Sequence, residues 1–208
     1  RAAEDAVAAA CKEHNIYAIV GVPVFFGDVD PAASNSRPWY NTALVIGPGG
    51  KKEYRQAKLY PCCQQDGSAG RWLDTFNITN FDGTALPVAL QICFDDYHPE
   101  IVRLQSMAGA QILFYSSWES DSSMEWKLGL GDKLGSQQAV VNAHAALNQL
   151  FILQANAGAL VDTMRSENAP GYPAGTTADG GSHGQSRVVD PAGRTLEEAR
   201  VFGEQLLI

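Results

Sequence analysis

The chain has 208 residues, a formal net charge of −8 and a sequence pI near 4.9. With 45% hydrophobic and 18% charged residues it has a globular composition and enough length to bury a sizeable core. The acidic balance argues against nucleic acid as the main partner, and no apolar run approaches the roughly 20 residues that span a bilayer.

Residues 1–14 read as the body of an amphipathic helix with no capping residue in front of it. No basic flank leads into an apolar core there, as a signal peptide requires. Residues 16–23 form a short apolar run, expected as a buried strand. Residues 28–38 are rich in Pro, Ser, Asn and Asp and read as a loop. A second strand is expected over 40–46. The turn Gly47-Pro48-Gly49-Gly50 then leads into a hairpin partner over 52–58.

Residues 61–70 read as an irregular polar loop. Strands are expected over 75–78 and 88–93, with a turn at Asp82-Gly83. Apolar residues at helical spacing, with Pro99 in the first turn, predict a helix over 99–108. A strand over 111–115, an Ala-rich helix over 137–148 and a strand over 151–155 follow. Residues 160–184 read as a long surface excursion. A strand over 185–190 turns at Pro191-Ala192-Gly193-Arg194 toward a last strand pair. Residues 201–208 stop inside what reads as a strand. The alternation predicts one α/β domain with a mixed sheet. Both ends suggest a stretch cut from a longer domain.

Cys11, Cys62, Cys63 and Cys93 are too few and too unevenly spaced for a secreted disulfide scaffold, and no metal-ligand spacing occurs. The adjacent pair Cys62-Cys63 suggests redox chemistry, but two loop thiols is the better reading. A reducing compartment is expected, which points to the cytoplasm and leaves an organelle lumen open.

The stretch from Leu90 through Ile92, Cys93, Phe94 and Asp95 to Pro99 is the most informative. An apolar strand ends at a cysteine and turns sharply into a helix. Such a corner exposes a nucleophile, and its backbone N–H groups can stabilise an oxyanion. A buried cysteine closing a strand accounts for the position equally well. Lys58, at the end of an expected strand, can hold a neighbouring thiol as thiolate or donate to an oxyanion. Alone, it reads as a solvated charge. Trp118 and Glu119 follow the strand after the Pro99 helix, near where a substrate would sit. Burial in a core explains Trp118 as well. His98, beside Pro99, can orient the nucleophile corner, but a helix-start hydrogen bond accounts for it better; His144 reads as a polar contact on a packed helix rather than a catalyst, and His183 as a solvated loop residue.

Taken together, these stretches resemble the nitrilase superfamily, the carbon–nitrogen hydrolases with a Glu-Lys-Cys triad. Leu90-Gln91-Ile92-Cys93-Phe94-Asp95 and Pro99-Glu100-Ile101-Val102-Arg103 resemble its nucleophile strand and helix start. Ala108-Gly109-Ala110 resembles its step into the next strand, and Lys58-Leu59-Tyr60-Pro61 its lysine segment. Tyr40-Asn41-Thr42-Ala43, Ala155-Asn156 and the run from Gly184 to Gly193 follow in the family's order. The resemblance covers nearly the whole chain.

There are departures. The family glutamate lies on a strand before the helix that opens this chain, and neither Glu4 nor Glu13 matches it. The common branch places lysine where this chain has Gln56. Between Cys62 and Arg71 the only acid is Asp66, and His144 stands where an arginine is usual.

The resemblance implies a four-layer α-β-β-α sandwich, incomplete at the N-terminus and slightly at the C-terminus, pairing through helical faces into a homodimer or larger assembly. It implies Cys93 as nucleophile, Lys58 and the Phe94 N–H as oxyanion donors, and no metal or organic cofactor. Trp118 and Glu119 then line the substrate pocket. The implied reaction is hydrolysis of a small amide or N-carbamoyl compound, with nitriles as the next class. Neither nucleic acid nor membrane is a partner on this reading. Two other readings stand beside it: an inactive family member serving as a structural or assembly subunit, and an acyltransferase. The transferases of the superfamily carry spanning helices, which ranks that reading third.

Overall fold

The computed structural model describes residues 2–25, 39–62, 67–117, 133–156, 184–199 and 206–207. Its contacts divide the chain into two units, Arg1–Ala110 and Gln111–Ile208.

In the first unit, helix α1 (Ala2–His14) carries acids in its first turn and basic residues in its last, complementing the helix dipole. Asn15, at φ 53°, ends it. Three antiparallel strands follow: β1 (Ala18–Phe25), β2 (Trp39–Ile46) and β3 (Lys52–Ala57), in the order β1-β2-β3. The pairing runs from Ala18 opposite Ile46 to Phe25 opposite Trp39. Period-two alternation sends Leu44 and Ile46 of β2 to one face, where they pack with Cys11, Val7 and Ala8 of α1. Ala43 and Val45 are also buried, so β2 is covered on both faces.

The turn into β3 depends on Gly50, which has φ 71°, and a Cβ there would lie 2.8 Å from the Ala8 carbonyl oxygen. An ion pair between Lys52 and Glu4 links β3 to α1.

A second antiparallel pair, β4 (Phe76–Thr79) and β5 (Ala85–Ile92), follows, with Phe76 opposite Val88. Phe76 stacks on Tyr54 of β3 at 4.3 Å between ring centroids. Burial of Tyr54, aided by Asp74, pushes its phenol up to about 12. Strand β5 starts three residues earlier than the 88–93 expectation. Pro87 sits in the strand opposite Asn77. Cys93 lies outside the strand, because its φ of 49° ends the extended backbone. A 3-10 turn (Cys93–Tyr97) then delivers helix α2 (Pro99–Met107), which has Pro99 in its first turn and buries Ile101, Val102 and Gln105.

In the second unit, β6 (Ile112–Ser117) and β7 (Phe151–Asn156) pair in parallel, so a crossover is required between them. Helix α3 (Lys133–Asn148) lies in that connection. Its buried residues Val141, His144, Ala145 and Asn148 recur at helical spacing on one face. The helix begins four residues before the expected 137.

Strand β8 (Arg187–Val189) adds antiparallel to β7, and β9 (Thr195–Glu198) to β8. Strand β8 is shorter than the expected 185–190 because Gly184 and Gln185 both have positive φ. Asp190 Oδ1 accepts from the Ala192 and Arg194 N–H groups at 2.9 Å each, closing the Asp-Pro-Ala-Gly turn. These bonds and the Arg194 side chain hold the Asp190 carboxyl below the usual range. The expected excursion over 160–184, apart from Gly184, and the strand expected over 201–208, apart from 206–207, lie outside the described residues. Among the described residues no helix is long and apolar enough to cross a membrane.

Ile46 is fully buried at the heart of the first unit, whereas Leu104 on α2 is 56% exposed. Ile46→Ala is therefore expected to cost about 2–5 kcal/mol. Leu104→Ala should stay within about 0.5 kcal/mol. Urea unfolding of the two variants beside the parent checks the contrast.

Candidate active site

Strand β3 ends at Ala57, and Lys58 comes next. The Lys58 N–H donates to the Asn41 carbonyl at 2.8 Å, and its own carbonyl accepts from the Gly70 N–H at 2.7 Å. A Cβ on Gly70 would lie 2.7 Å from the Ala57 oxygen and 3.0 Å from that of Lys58, so only glycine permits this approach. The backbone at Lys58 is thus fixed on both sides. Its side chain is 1% exposed, which removes it from the solvated-charge reading.

Ile92 closes β5 in extended conformation, at φ −129° and ψ 111°. Cys93 then enters the left-handed region, where a residue with a Cβ is uncommon and strained. The thiol is half-buried, not enclosed. The strand-to-turn corner expected at this residue is therefore present, and the Phe94 N–H lies in the first turn beyond it.

Asp95 joins the two segments, and sequence reasoning assigned it no role. Its Oδ1 accepts from the Leu59 N–H at 3.0 Å and the Tyr60 N–H at 2.8 Å. Its Oδ2 accepts from the Ile92 N–H at 3.3 Å. One carboxylate therefore binds the residues that follow Lys58 to the residue that precedes Cys93. Asp95 is 1% exposed. Burial pushes its pKa up to about 6, against the opposing pull of the Tyr60 and Ile92 N–H groups, the Lys58 charge and the Leu59 N–H. The signal for it was the acid two positions after the cysteine. Its partners lie 35 and 36 positions upstream, which no local pattern reveals.

An aromatic rim surrounds the turn. Tyr60 stacks on His98 at 3.6 Å between centroids, and Phe94 meets His98 edge-on at 5.6 Å. Tyr97 lies 5.4 Å from Phe94. The helix-start hydrogen bond expected of His98 is made by its backbone, whose carbonyl accepts from the Ile101 N–H at 3.0 Å; its side chain caps nothing, and its ring stacks on Tyr60.

Gln56, the residue at the alternative lysine position, is buried and fully engaged. Its Oε1 accepts from the Tyr54 hydroxyl at 3.0 Å, and its Nε2 donates to the Trp72 carbonyl at 2.7 Å and that of Ala57 at 2.9 Å. Glu4 is committed to Lys52. Trp118, Glu119, His183, Asp66 and Cys63 lie outside the described residues. Among the described residues no group of three His, Cys, Asp or Glu side chains could hold a metal ion. The arrangement offers a half-buried thiol at a strained corner, a backbone N–H beside it and a buried ammonium on a tethered strand end. Those are the parts needed to attack a carbonyl carbon and hold the resulting oxyanion.

In the second unit, Asn156 is the hub at the end of β7. Its side-chain amide donates to the Gly184 carbonyl and its N–H to Ser186 Oγ, both at 2.9 Å. Ser117 Oγ donates to its Oδ1 at 3.2 Å.

The raised pKa of Asp95 has a defined sign. A carboxyl that binds its proton more tightly when folded favours folding fully below about pH 4, and that contribution is lost as pH rises through about 6. Asp95→Asn cannot titrate. Its unfolding free energy minus that of the parent should rise between pH 4.5 and pH 7, measured by urea denaturation at both values.

The profile of the carbon-nitrogen hydrolase family matches residues 2–208. The chain is 26% identical over 202 residues to 2-oxoglutaramate amidase of Bacillus subtilis, covering 95% of this chain and 63% of that protein. It is 29% identical over 163 residues to an (R)-stereoselective amidase of a Pseudomonas species, covering 77% of this chain and 48% of that one. Among solved structures, a carbon-nitrogen hydrolase from Helicobacter pylori superposes with a TM-score of 0.70 at 22% identity, over 98% of this chain and 64% of that one. Yeast Nit3, of the nitrilase superfamily, gives 0.69 at 19%, over 98% of this chain and 62% of its own. The chain thus spans less than two thirds of the length of each of these relatives, and it shares their α/β fold. It belongs to the carbon-nitrogen hydrolase family.

Proposed function

We propose that this chain carries the cysteine and lysine of a thiol-dependent amidase, within one carbon-nitrogen hydrolase domain. One observation supports the reading above the others: the Asp95 carboxylate ties the strand end of Lys58 to the corner of Cys93. The names of the related amidases favour a small amide, and an N-carbamoyl compound is the neighbouring class.

The Cys93 thiolate attacks the amide carbon, and the carbonyl π pair moves to oxygen. The Lys58 ammonium and the Phe94 N–H stabilise that oxyanion. Collapse breaks the carbon–nitrogen bond, and the leaving amine takes a proton from a general acid. Water, deprotonated by the same group, then attacks the thioester and frees the acid and the thiol. Glu4, paired to Lys52, is not that group. We assign the role to a carboxylate beyond the described residues. Trp118 and Glu119 remain proposed pocket residues, and pairing of copies through helical faces remains the proposed assembly.

The test uses the full-length protein and a panel of small aliphatic amides and N-carbamoyl compounds. Cys93→Ala should lower turnover at least about 10³-fold while leaving the circular dichroism unchanged. Retention of most activity in that variant overturns the nucleophile assignment. Lys58→Ala should lose about 10²- to 10³-fold in kcat, as expected for loss of an oxyanion donor. Normal turnover there places the lysine role elsewhere. A full-length protein that hydrolyses nothing in the panel, and whose Cys93 alkylates at an ordinary thiol rate, is a structural subunit.

A further inference from the structure

We propose that Asp95 is the positioning residue of this site, whose ionised carboxylate clasps the Lys58 segment onto the turn that presents Cys93. The proposal rests on the roles given to Cys93 and Lys58 above. It adds a residue that touches neither substrate nor reacting atoms and acts through the other two.

The geometry divides the work between the two oxygens. Oδ1 takes both N–H groups that follow Lys58, and Oδ2 takes the N–H that precedes Cys93. A carboxylate is the one side chain of this size with two acceptor oxygens and no donor. An asparagine keeps one acceptor and sets an N–H₂ against a backbone N–H. A protonated carboxyl meets the same conflict through its O–H. The clasp is therefore complete only in the ionised state.

That state is not the one burial favours. Burial pushes the Asp95 carboxyl up to about 6, and the backbone N–H groups and the Lys58 charge hold it ionised near neutral pH against that pull. Ionisation thus serves the three backbone donors and the placing of Lys58 together. Among the described residues, the titratable and charged groups on the segments that meet at Asp95 are Lys58 and Tyr60 past the β3 end, Cys93, Asp96 and Tyr97 in the turn, and His98 and Glu100 at the start of α2. Lys58 is the cation that favours the charged form of Asp95.

The experiment measures alkylation of Cys93 by iodoacetamide in the full-length protein. Peptide mass spectrometry separates Cys93 from Cys11, Cys62 and Cys63, and Cys93→Ala serves as the blank. In Asp95→Asn at pH 7 the rate should fall about tenfold or more, with circular dichroism unchanged. Simple removal of a negative charge has the opposite sign: it makes the thiol more acidic and the reaction faster. An unchanged or faster rate in the folded variant overturns the clasp.

The parent protein supplies a second measurement that needs no variant to fold. Below about pH 6 its log rate against pH should steepen from one proton toward two, as Asp95 protonates together with the thiolate. A slope of one down to pH 4.5 overturns the proposal. Turnover of the amide panel separates the two readings. A protein that hydrolyses no amide, yet whose Cys93 reactivity responds to Asp95, refutes the amidase reading and keeps the clasp.

Discussion

A buried carboxylate with three backbone donors holds the first unit together at its functional end. Strand β3 and strand β5 approach from different parts of the chain, and each stops where Asp95 can reach it. Without that carboxylate, the buried N–H of Ile92 and the part-buried N–H groups of Leu59 and Tyr60 would lose their acceptor. An unsatisfied buried donor costs about 1–3 kcal/mol, which applies in full at Ile92 and in part at the other two. Both oxygens of one side chain meet the demand, and the charge of Lys58 offsets part of the burial penalty.

The strain at Cys93 belongs to the same construction. A cysteine at φ 49° is held there only if its surroundings over-determine the backbone. Ile92, before it, is pinned by Asp95. His98, after it, donates its N–H to the Asp95 carbonyl oxygen at 3.1 Å and has its ring stacked on Tyr60. The backbone and side chain of one aspartate therefore brace both ends of the corner. The positive φ turns the cysteine out of the strand's alternation, and the thiol stays half-buried while Val88, Ala89 and Leu90 are closed off.

Much of this was legible in the sequence, for reasons that differ by residue. Cys93 and Pro99 stand in a local pattern: an apolar run, a turn and a helix start. Period-two and 3.6-residue alternation located β2, α2 and β7 to within one or two residues. Asp95 was visible as an acid after the cysteine, but its work is non-local. Its Oδ1 serves N–H groups 35 and 36 positions away, and no composition or periodicity encodes such a pairing. His98 was legible by half. A histidine before a helix suggests a cap, which its backbone carbonyl makes, whereas its ring stacking with Tyr60 depends on the same long-range closure. Strand ends drifted wherever a positive φ at Cys93 or Gln185 overruled β propensity.

The choice between positions 56 and 58 for the lysine shows how structure decides what a motif leaves open. Two residues along a strand return a side chain to the same face, about 6.6–6.8 Å farther on. A cation at 56 and a cation at 58 would therefore face the same layer, one inside the strand and one at its open end. Gln56 occupies the inner place as a neutral clamp, with hydrogen bonds to the Tyr54 hydroxyl and the carbonyls of Ala57 and Trp72. A lysine there would carry an ammonium with no acceptor left for the Tyr54 hydroxyl, whose proton already needs one. Lys58, one residue past the strand, lies beside the two N–H groups that Asp95 collects. The charge therefore sits where its counter-charge is, and the same carboxylate that neutralises it also fixes the backbone from which it reaches.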